Sequence, residues 1–307
     1  MGERLKDRAA VVTGAGRGIG RAIAELLASE GAAVVVNDLG GNVDGSGASA
    51  VADEVVAAIR ARGGRAVANY DSVVDFGAAE RIVETAVREF GAIDILVNNA
   101  GILRDRMLFN MAEEEWDAVI AVHLKGTFNC TRHAAARMRE QRRGRIISMS
   151  STSGVFGNTG QANYGAAKDG IAGLTRVIAR DLGKYGITAN AVCPGASTRM
   201  TGTVSDTARA ARQKSGAQSP GGQRTFQLEH TGPENVAPWV VYLATDAASQ
   251  VNGQVFFAMG GLLALLNEPA PVRTMFKDGR WTPEEIATLF PRTLGLDLVN
   301  PAPAREG

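Results

Sequence analysis

The sequence has little that would commit it to charge-driven binding. Its 33 Lys and Arg stand against 32 Asp and Glu, a formal net charge of +1, and no long block of one sign interrupts the chain. That balance excludes a binder of nucleic acid or membrane surface working through a strongly basic face. Aromatic residues are only 6%. There are two cysteines, Cys130 and Cys193, far apart and without pairing or metal-ligand spacing. Neither a disulfide framework nor a metal centre is expected, and both read as small apolar packing residues. Long apolar runs are missing too: the stretch from Val255 to Leu266 is too short and too Gly-broken to span a bilayer. The charged start, Met1-Gly-Glu-Arg-Leu-Lys-Asp-Arg, does not read as a signal peptide. The closing Arg-Glu-Gly is not a peroxisomal address. The expectation is a cytoplasmic protein.

What is present is glycine, 37 residues of it, in a chain of 307 that is 45% hydrophobic. A chain this long can bury a sizeable core. One pattern recurs: a helical stretch, a Gly, then a short β-branched run, as in SEGAAVVV, ARGGRAVAN, REFGAIDILV, RRGRIIS and KYGITANAV. Glycine closes a helix in the left-handed conformation, and the Val/Ile run suits a strand buried on both faces. The spacing predicts strands near 9–13, 33–37, 65–70, 93–98, 144–150, 187–193 and 254–258. Helices are expected near 18–30, 48–62, 75–90, 113–139, 163–184 and 234–245. Strands alternating with helices imply right-handed crossovers and a parallel sheet, so the fold class is α/β, a doubly wound Rossmann-like sheet. Residues 1–261 form the expected single domain. Within it 197–232, rich in Gly, Ser, Thr, Gln and Arg, reads as a substrate loop. Residues 262–307 form a C-terminal extension expected to pack on the domain. In it Thr282-Pro283-Glu284-Glu285 signals a capped helix start, with Trp281, Ile286, Leu289 and Phe290 as material to bury.

Two constellations carry chemistry. The first strand runs into Thr13-Gly-Ala-Gly-Arg-Gly-Ile-Gly20 and then a helix. Gly14, Gly18 and Gly20, with Ile19 between them, suit a backbone that approaches a pyrophosphate at a helix N-terminus. Asp38 closes the second strand, where a carboxylate accepts both ribose hydroxyls of an adenosine and repels a 2′-phosphate, which favours NAD over NADP. Arg17 pulls the other way, since a basic residue in this turn suits that phosphate; the carboxylate is weighted more. The second constellation is Ser151, Tyr164 and Lys168. Tyr164 and Lys168, four apart in a helix, lie one turn apart on one face. A free phenol titrates near 10, and a neighbouring ammonium and an oxidised nicotinamide would make it a better base.

TGAGRGIG, Asn98-Asn-Ala-Gly101, the Ser151…Tyr164-x-x-x-Lys168 set and Pro194-Gly195 together resemble the short-chain dehydrogenase/reductase family over residues 5–261 or so. The resemblance implies hydride transfer between a nicotinamide cofactor and an alcohol or carbonyl carbon. Tyr164 would be the general acid/base, Lys168 would lower its pKa and hold the nicotinamide ribose, and Ser151 would orient the substrate oxygen. Asn99, Ala100 and Gly101 would line the cofactor groove, and Asp71, Ser72 and Val73 would meet the adenine. Pro194, Gly195, Ala196, Ser197, Thr198 and Arg199 would lie on the nicotinamide side.

The strings NDLGG, ANYDSV, NNAGILRDR, VHLKGTF, GNTGQANY and RMT are similar to a narrower branch, the (3R)-hydroxyacyl-CoA dehydrogenase modules of peroxisomal multifunctional enzymes, also described as 17β-hydroxysteroid dehydrogenases. The resemblance implies an NAD-dependent oxidation of a 3-hydroxyacyl-CoA in fatty-acid or sterol side-chain breakdown, by a homodimer or homotetramer whose 113–139 and 163–184 helices meet. Its alternatives are a 17β-hydroxysteroid dehydrogenase, a 3-oxoacyl-thioester reductase and, from another class, a non-enzymatic NAD-sensing scaffold. Arg104, Arg106, Arg199, Arg273 and Lys277 are candidates for the CoA phosphates, each against the reading of an exposed solubilising charge. The family usually carries Asn where this chain has His123, an expected structural histidine in a helix.

Overall fold

A computed structural model describes residues 2–47, 49–196 and 232–301. Eight strands make one sheet in the order β3-β2-β1-β4-β5-β6-β7-β8. β1 (Ala9–Thr13), β2 (Ala33–Asn37), β3 (Arg65–Asn69), β4 (Ile95–Asn98), β5 (Gly144–Met149), β6 (Ile187–Pro194) and β7 (Val255–Met259) match the seven expected strands, and all pair in parallel. β8 (Leu262–Leu265) pairs antiparallel with β7. It falls in what the sequence reading assigned to the C-terminal extension. Its alternate residues stay exposed, so it lacks the continuous buried run that marks the others.

Strand residues alternate between two cores. Val12, Val34, Val36 and Val97 meet Ile23 and Leu27 of α1 (Gly18–Ser29), Val55 and Ile59 of α2 (Val51–Ala61) and, further along, Val240 of a helix near the C-terminal end. Val11, Val35, Leu96 and Ile146 face the opposite way, onto Ile82 and Val83 of α3 (Phe76–Phe90) and onto Ala134 and Met138 beyond. Each fully buried Val, Leu or Ile contributes roughly 1.5–3 kcal/mol, so the two layers dominate the stability of the fold.

The junctions follow the glycine pattern with one exception. Gly31, Gly63, Gly91 and Gly186 take left-handed conformations after their helices, but in RRGRIIS it is Arg142, at φ 58°, that does so. The expected 113–139 helix is in three pieces: α4 (Glu113–Ile120), a single π turn at Ala121–Lys125, and α5 (Gly126–Gln141). After α6 (Thr152–Val155) comes α7 (Ala162–Leu182), then α8 (Ala237–Ala244) and α9 (Pro283–Leu289). Thr282 caps α9 as its sequence implies, accepting from the Glu285 amide while Glu285 accepts from the Thr282 amide. Ile286, Leu289 and Phe290 of this segment are exposed in the single chain.

Candidate active site

The strand order reverses between β1 and β4, and in such sheets ligands bind outside the C-terminal ends of the strands at that crossing. The described residues of the glycine turn, of the segments after β2 and β4 and of the Ser151, Tyr164 and Lys168 set follow those strand ends or pack beside them. The Thr13 hydroxyl accepts hydrogen bonds from the amides of Asn99 (3.0 Å) and Ala100 (3.1 Å), and Asn99 Nδ2 donates to the carbonyls of Thr13 and Gly14. The glycine turn is thus bolted to the segment after β4. Gly14 sits at φ +63° with an imagined Cβ only 2.7 Å from the Ala100 Cα, so no other residue fits without moving the backbone. α1 starts at Gly18-Ile19-Gly20 with no side chain capping it, which leaves its first amides for an anion.

Asp38 is held by the backbone on both sides. Its Oδ2 accepts from the Gly16 amide at 2.8 Å and its Oδ1 from the Gly40 amide at 2.7 Å. Each carboxylate oxygen keeps a second lone pair for a ribose hydroxyl. Arg17 lies over the following loop, donating to the Gly41 carbonyl and the Ser49 hydroxyl. Among the residues expected to meet the adenine, Asp71 is tied to Arg81 at 2.6 Å and accepts from Asn69. Ser72 accepts from the Val74 amide, and the Val73 carbonyl accepts from buried Asn129 of α5. Pro194 ends β6, and the Gly195 amide donates to the Ala258 carbonyl. Ala196 follows; Ser197, Thr198 and Arg199, with nearly all of the 197–232 loop, lie outside the described residues. The glycine cradle, the unserved helix start and the pre-oriented carboxylate fit a nicotinamide dinucleotide.

Ser151 sits just past β5, and Tyr164 and Lys168 lie on α7. Burial pushes the Tyr164 phenol up to about 12, and a hydrogen bond with Ser151 opposes that shift. Burial also lowers the Lys168 ammonium to about 8. Its Nζ donates to the Met149 carbonyl at 2.5 Å and lies 5.5 Å from the centre of the Tyr164 ring. The sequence reading gave Lys168 the task of lowering the phenol. In the protein by itself burial sets the direction, and the opposing influence is the Ser151 hydrogen bond. Bringing the phenol from about 12 to neutrality takes roughly 7 kcal/mol of differential interaction.

Two residues that lie inside the quoted strings but were given no role there, Asn163 and Thr13, complete the site. Asn163, fully buried beside Tyr164, donates to the carbonyls of Arg104 and Glu115 and accepts from the Tyr164 amide at 2.7 Å. It anchors the start of α7 to α4 and to the segment after β4. Only its place directly before Tyr164 in the sequence could have flagged it. Thr13 was legible as the end of a strand and the start of the glycine motif, but not as the acceptor that ties it to Asn99 and Ala100.

Of the cationic candidates, Arg106 pairs with Glu115 at 2.8 Å, Lys277 with Glu285 at 2.6 Å and Arg273 with Asp297 at 3.6 Å. Arg104 instead donates to two carbonyls, those of Asp44 and Glu114. Cys130 and Cys193 are free and buried. Among the described residues, no cluster of His, Cys, Asp or Glu could hold a metal, and no helix is long and apolar enough to cross a membrane.

Comparison with known proteins agrees with this geometry. Residues 8–209 match the short chain dehydrogenase family. A hydroxyacyl-CoA dehydrogenase of Mycobacterium tuberculosis, ChsB1, is 45% identical over 303 residues, covering 95% of this chain and 90% of that protein. The peroxisomal multifunctional enzyme type 2 of Drosophila melanogaster is 53% identical over 259 residues, 84% of this chain but 40% of that longer one. The crystal structure of a short chain dehydrogenase from Mycobacterium avium superposes with a TM-score of 0.80 at 44% identity, covering 95% of both chains.

Proposed function

The chain belongs to the short-chain dehydrogenase family of oxidoreductases acting on CH–OH groups, and we propose that it oxidises the 3-hydroxyl of a 3-hydroxyacyl-CoA to the 3-oxoacyl-CoA with NAD. The observation that carries the substrate class is the likeness to a hydroxyacyl-CoA dehydrogenase along 90% of that protein's length. The family uses NAD or NADP. The choice of NAD rests on Asp38, whose fixed negative charge meets ribose hydroxyls well and a 2′-phosphate badly.

When bound, the cofactor supplies the hydride acceptor. The protein's part is general base catalysis and positioning. The Ser151 hydroxyl holds the substrate oxygen next to the phenol. Tyr164, once ionised, takes the hydroxyl proton. Lys168 provides the positive charge that favours the phenolate, and the Met149 carbonyl keeps that ammonium on the tyrosine side of α7. Arg104, which donates to two backbone carbonyls and lies near the Asp44 and Glu115 carboxylates, is one candidate for a CoA phosphate.

In this reading the protein is cytoplasmic and works as a homo-oligomer. Phe128 of α5, Val177 of α7 and the apolar side chains of the α9 segment, all exposed in the single chain, are the surfaces a second copy covers. The substrate loop and the C-terminal extension adapt the pocket to the acyl chain. One assay tests the proposal: turnover of 3-hydroxyacyl-CoA thioesters and a 17β-hydroxysteroid with NAD and with NADP. Preferred oxidation of the thioester with NAD supports it. Preference for the steroid, or for NADPH in reduction, replaces it with another activity of the same site. NAD binding without turnover of any substrate would reduce the protein to a sensor.

A further inference from the structure

Residues 41–47 lie between β2 and α2, yet several of their partners stand on the far side of β1. The Val43 carbonyl accepts a hydrogen bond from the Leu103 amide at 2.9 Å, and Arg104 Nε donates to the Asp44 carbonyl at 3.2 Å. Gly45 rests against the buried Ile102, where an added Cβ would lie 3.4 Å from its Cγ2. Residues 102–104 belong to the segment after β4. In the sheet β1 stands between β2 and β4, so the glycine turn at its end lies between the two elements that these contacts join. A loop that reaches from one to the other spans the end of β1.

The contacts close a ring. Thr13 of the glycine turn holds Asn99 and Ala100, and the chain runs on to Ile102, Leu103 and Arg104. These three hold Val43, Asp44 and Gly45, while Arg17 of the turn donates to the Gly41 carbonyl at 3.4 Å. Asp38 stands at the foot of the ring, bonded to the Gly40 amide. That foot is tight: a Cβ on Gly40 would run into the Ser49 backbone, so the two ends of the loop touch, as in an Ω-loop. Within the loop the Asn42 amide donates to the Ser46 carbonyl, and the Asp44 carboxylate accepts from the Ser46 amide and hydroxyl. These bonds make it one piece. Its far end is held lightly. None of residues 41–47 is buried, and the Arg104 bond is exposed. Segments with few buried contacts and exposed hydrogen bonds open at low free-energy cost.

We infer that residues 41–47 are a strap across the dinucleotide groove, latched to the segment after β4 by Leu103 and Arg104, that opens to admit and release the cofactor. The inference rests on the reading that a nicotinamide dinucleotide occupies this groove, and not on the identity of the substrate. Opening of such a loop precedes both entry and exit, and exit limits turnover in many enzymes.

The test uses NADH alone, its binding followed by nicotinamide fluorescence in stopped flow, with Arg104→Ala and Gly45→Ala beside the wild type. Arg104→Ala removes the side-chain half of the latch. Gly45→Ala leaves Arg104 in place and strains the closed loop, because Gly45 sits at φ +90°. A latch common to the empty and the loaded enzyme slows entry and exit alike. In Arg104→Ala both rate constants should rise together by about three- to tenfold, the worth of one hydrogen bond, with the affinity for NADH nearly unchanged. Gly45→Ala should move both in the same direction. Hydrogen exchange gives a readout apart from ligand kinetics. The Leu103 amide, whose acceptor is on the strap, should exchange faster in both variants, and more slowly in the wild type once NADH is bound.

Unchanged entry and exit rates in both variants overturn the inference. So does faster exit with unchanged entry and a matching loss of affinity, which would make Arg104 a cofactor contact and not a latch. A Leu103 amide that exchanges alike with and without NADH also overturns it. No thioester enters these measurements, so failure of the proposed oxidation leaves the strap standing, and failure of the strap leaves the oxidation standing.

Discussion

The Lys168 ammonium lies 5.5 Å from the centre of the Tyr164 ring while donating to the Met149 carbonyl. The protein holds a cation in its interior beside a phenol that burial keeps protonated. The arrangement costs stability and serves the proposed chemistry, and the two can be measured separately. Lys168 titrates at about 8 in the fold against 10.5 for an ordinary lysine. Between those values the unfolded chain binds more protons, so the cost is full below about 8 and fades as pH rises through 10.5. Lys168→Met removes the cost, at most roughly 3 kcal/mol, and leaves the Met149 carbonyl unserved at about 1–3 kcal/mol. The variant should therefore gain on the wild type at pH 7 relative to high pH. Urea unfolding of both proteins across this range checks it, and a stability difference that does not change with pH would sink the argument.

Tyr164→Phe keeps the ring against His123 and removes the proposed proton acceptor. General base catalysis contributes about 10²–10⁴-fold, so kcat should fall by that factor with little change in folding temperature. Ser151→Ala should also lower kcat while leaving NAD binding near its wild-type strength, since Ser151 bonds the phenol and caps α6. Cofactor binding followed by nicotinamide fluorescence separates the two effects. Wild-type turnover by Tyr164→Phe would remove this residue from the mechanism.

Asp38, held by two backbone amides, is the proposed acceptor for the cofactor ribose, and its removal should be felt in binding rather than chemistry. Asp38→Ala deletes the ribose acceptor and uncovers the reach of Arg17, which now rests on Gly41 and Ser49. The expected result is an NAD KM raised about tenfold or more, with a ratio of NADP to NAD activity shifted toward NADP. Unchanged preference would place the discrimination elsewhere in the loop after β2.

At the opposite end of the sheet, buried Asp94 accepts the Ala9 amide at 2.9 Å and Arg143 Nε at 2.6 Å, fixing the entry to β1 against β4 and β5. Asp94→Ala strands a buried amide and one side of an ion pair. About 1–3 kcal/mol should be lost with kcat unaltered, because no candidate site residue touches it. Thermal unfolding and steady-state kinetics on the same preparation give both numbers.

The parts of this molecule legible in its sequence are those where one residue type has one physical use. β-branched runs bounded by glycine gave the seven parallel strands, and TGAGRGIG, an ordinary tight turn by itself, read as a close backbone approach once Asp38 was added. Arg142 shows the limit of that logic, since a non-glycine took the left-handed place when Gly144 was needed to start β5 beside Met138. β8 escaped because a half-exposed edge strand of Leu and Ala has no strong local preference. The π turn escaped for a different reason: nothing in AVHLK departs from helical periodicity, and the turn is where His123 contacts both Ile102 and Tyr164. Tertiary contact, not local propensity, decides that segment. The same holds for Asn163 and Thr13, whose partners lie in distant parts of the chain.

His123 also predicts how the fold fails in acid. It titrates at about 3 in the protein against 6.5 for an ordinary histidine. Below 6.5 the unfolded chain takes up a proton that the folded chain refuses until about 3. Stability linked to this residue is therefore full above 6.5 and is lost as pH falls toward 3, by roughly 5 kcal/mol at most. His123→Phe has no proton to refuse. Its stability relative to the wild type should rise steadily as pH is lowered through that window, even where the substitution is destabilising at neutral pH because the Ile102 backbone has lost its partner. Urea midpoints for the two proteins at pH 7, 5.5 and 4 measure the difference directly. Parallel curves would mean that the imidazole accepts its proton in the folded state as readily as in water, and that the site is open enough to solvate the charge.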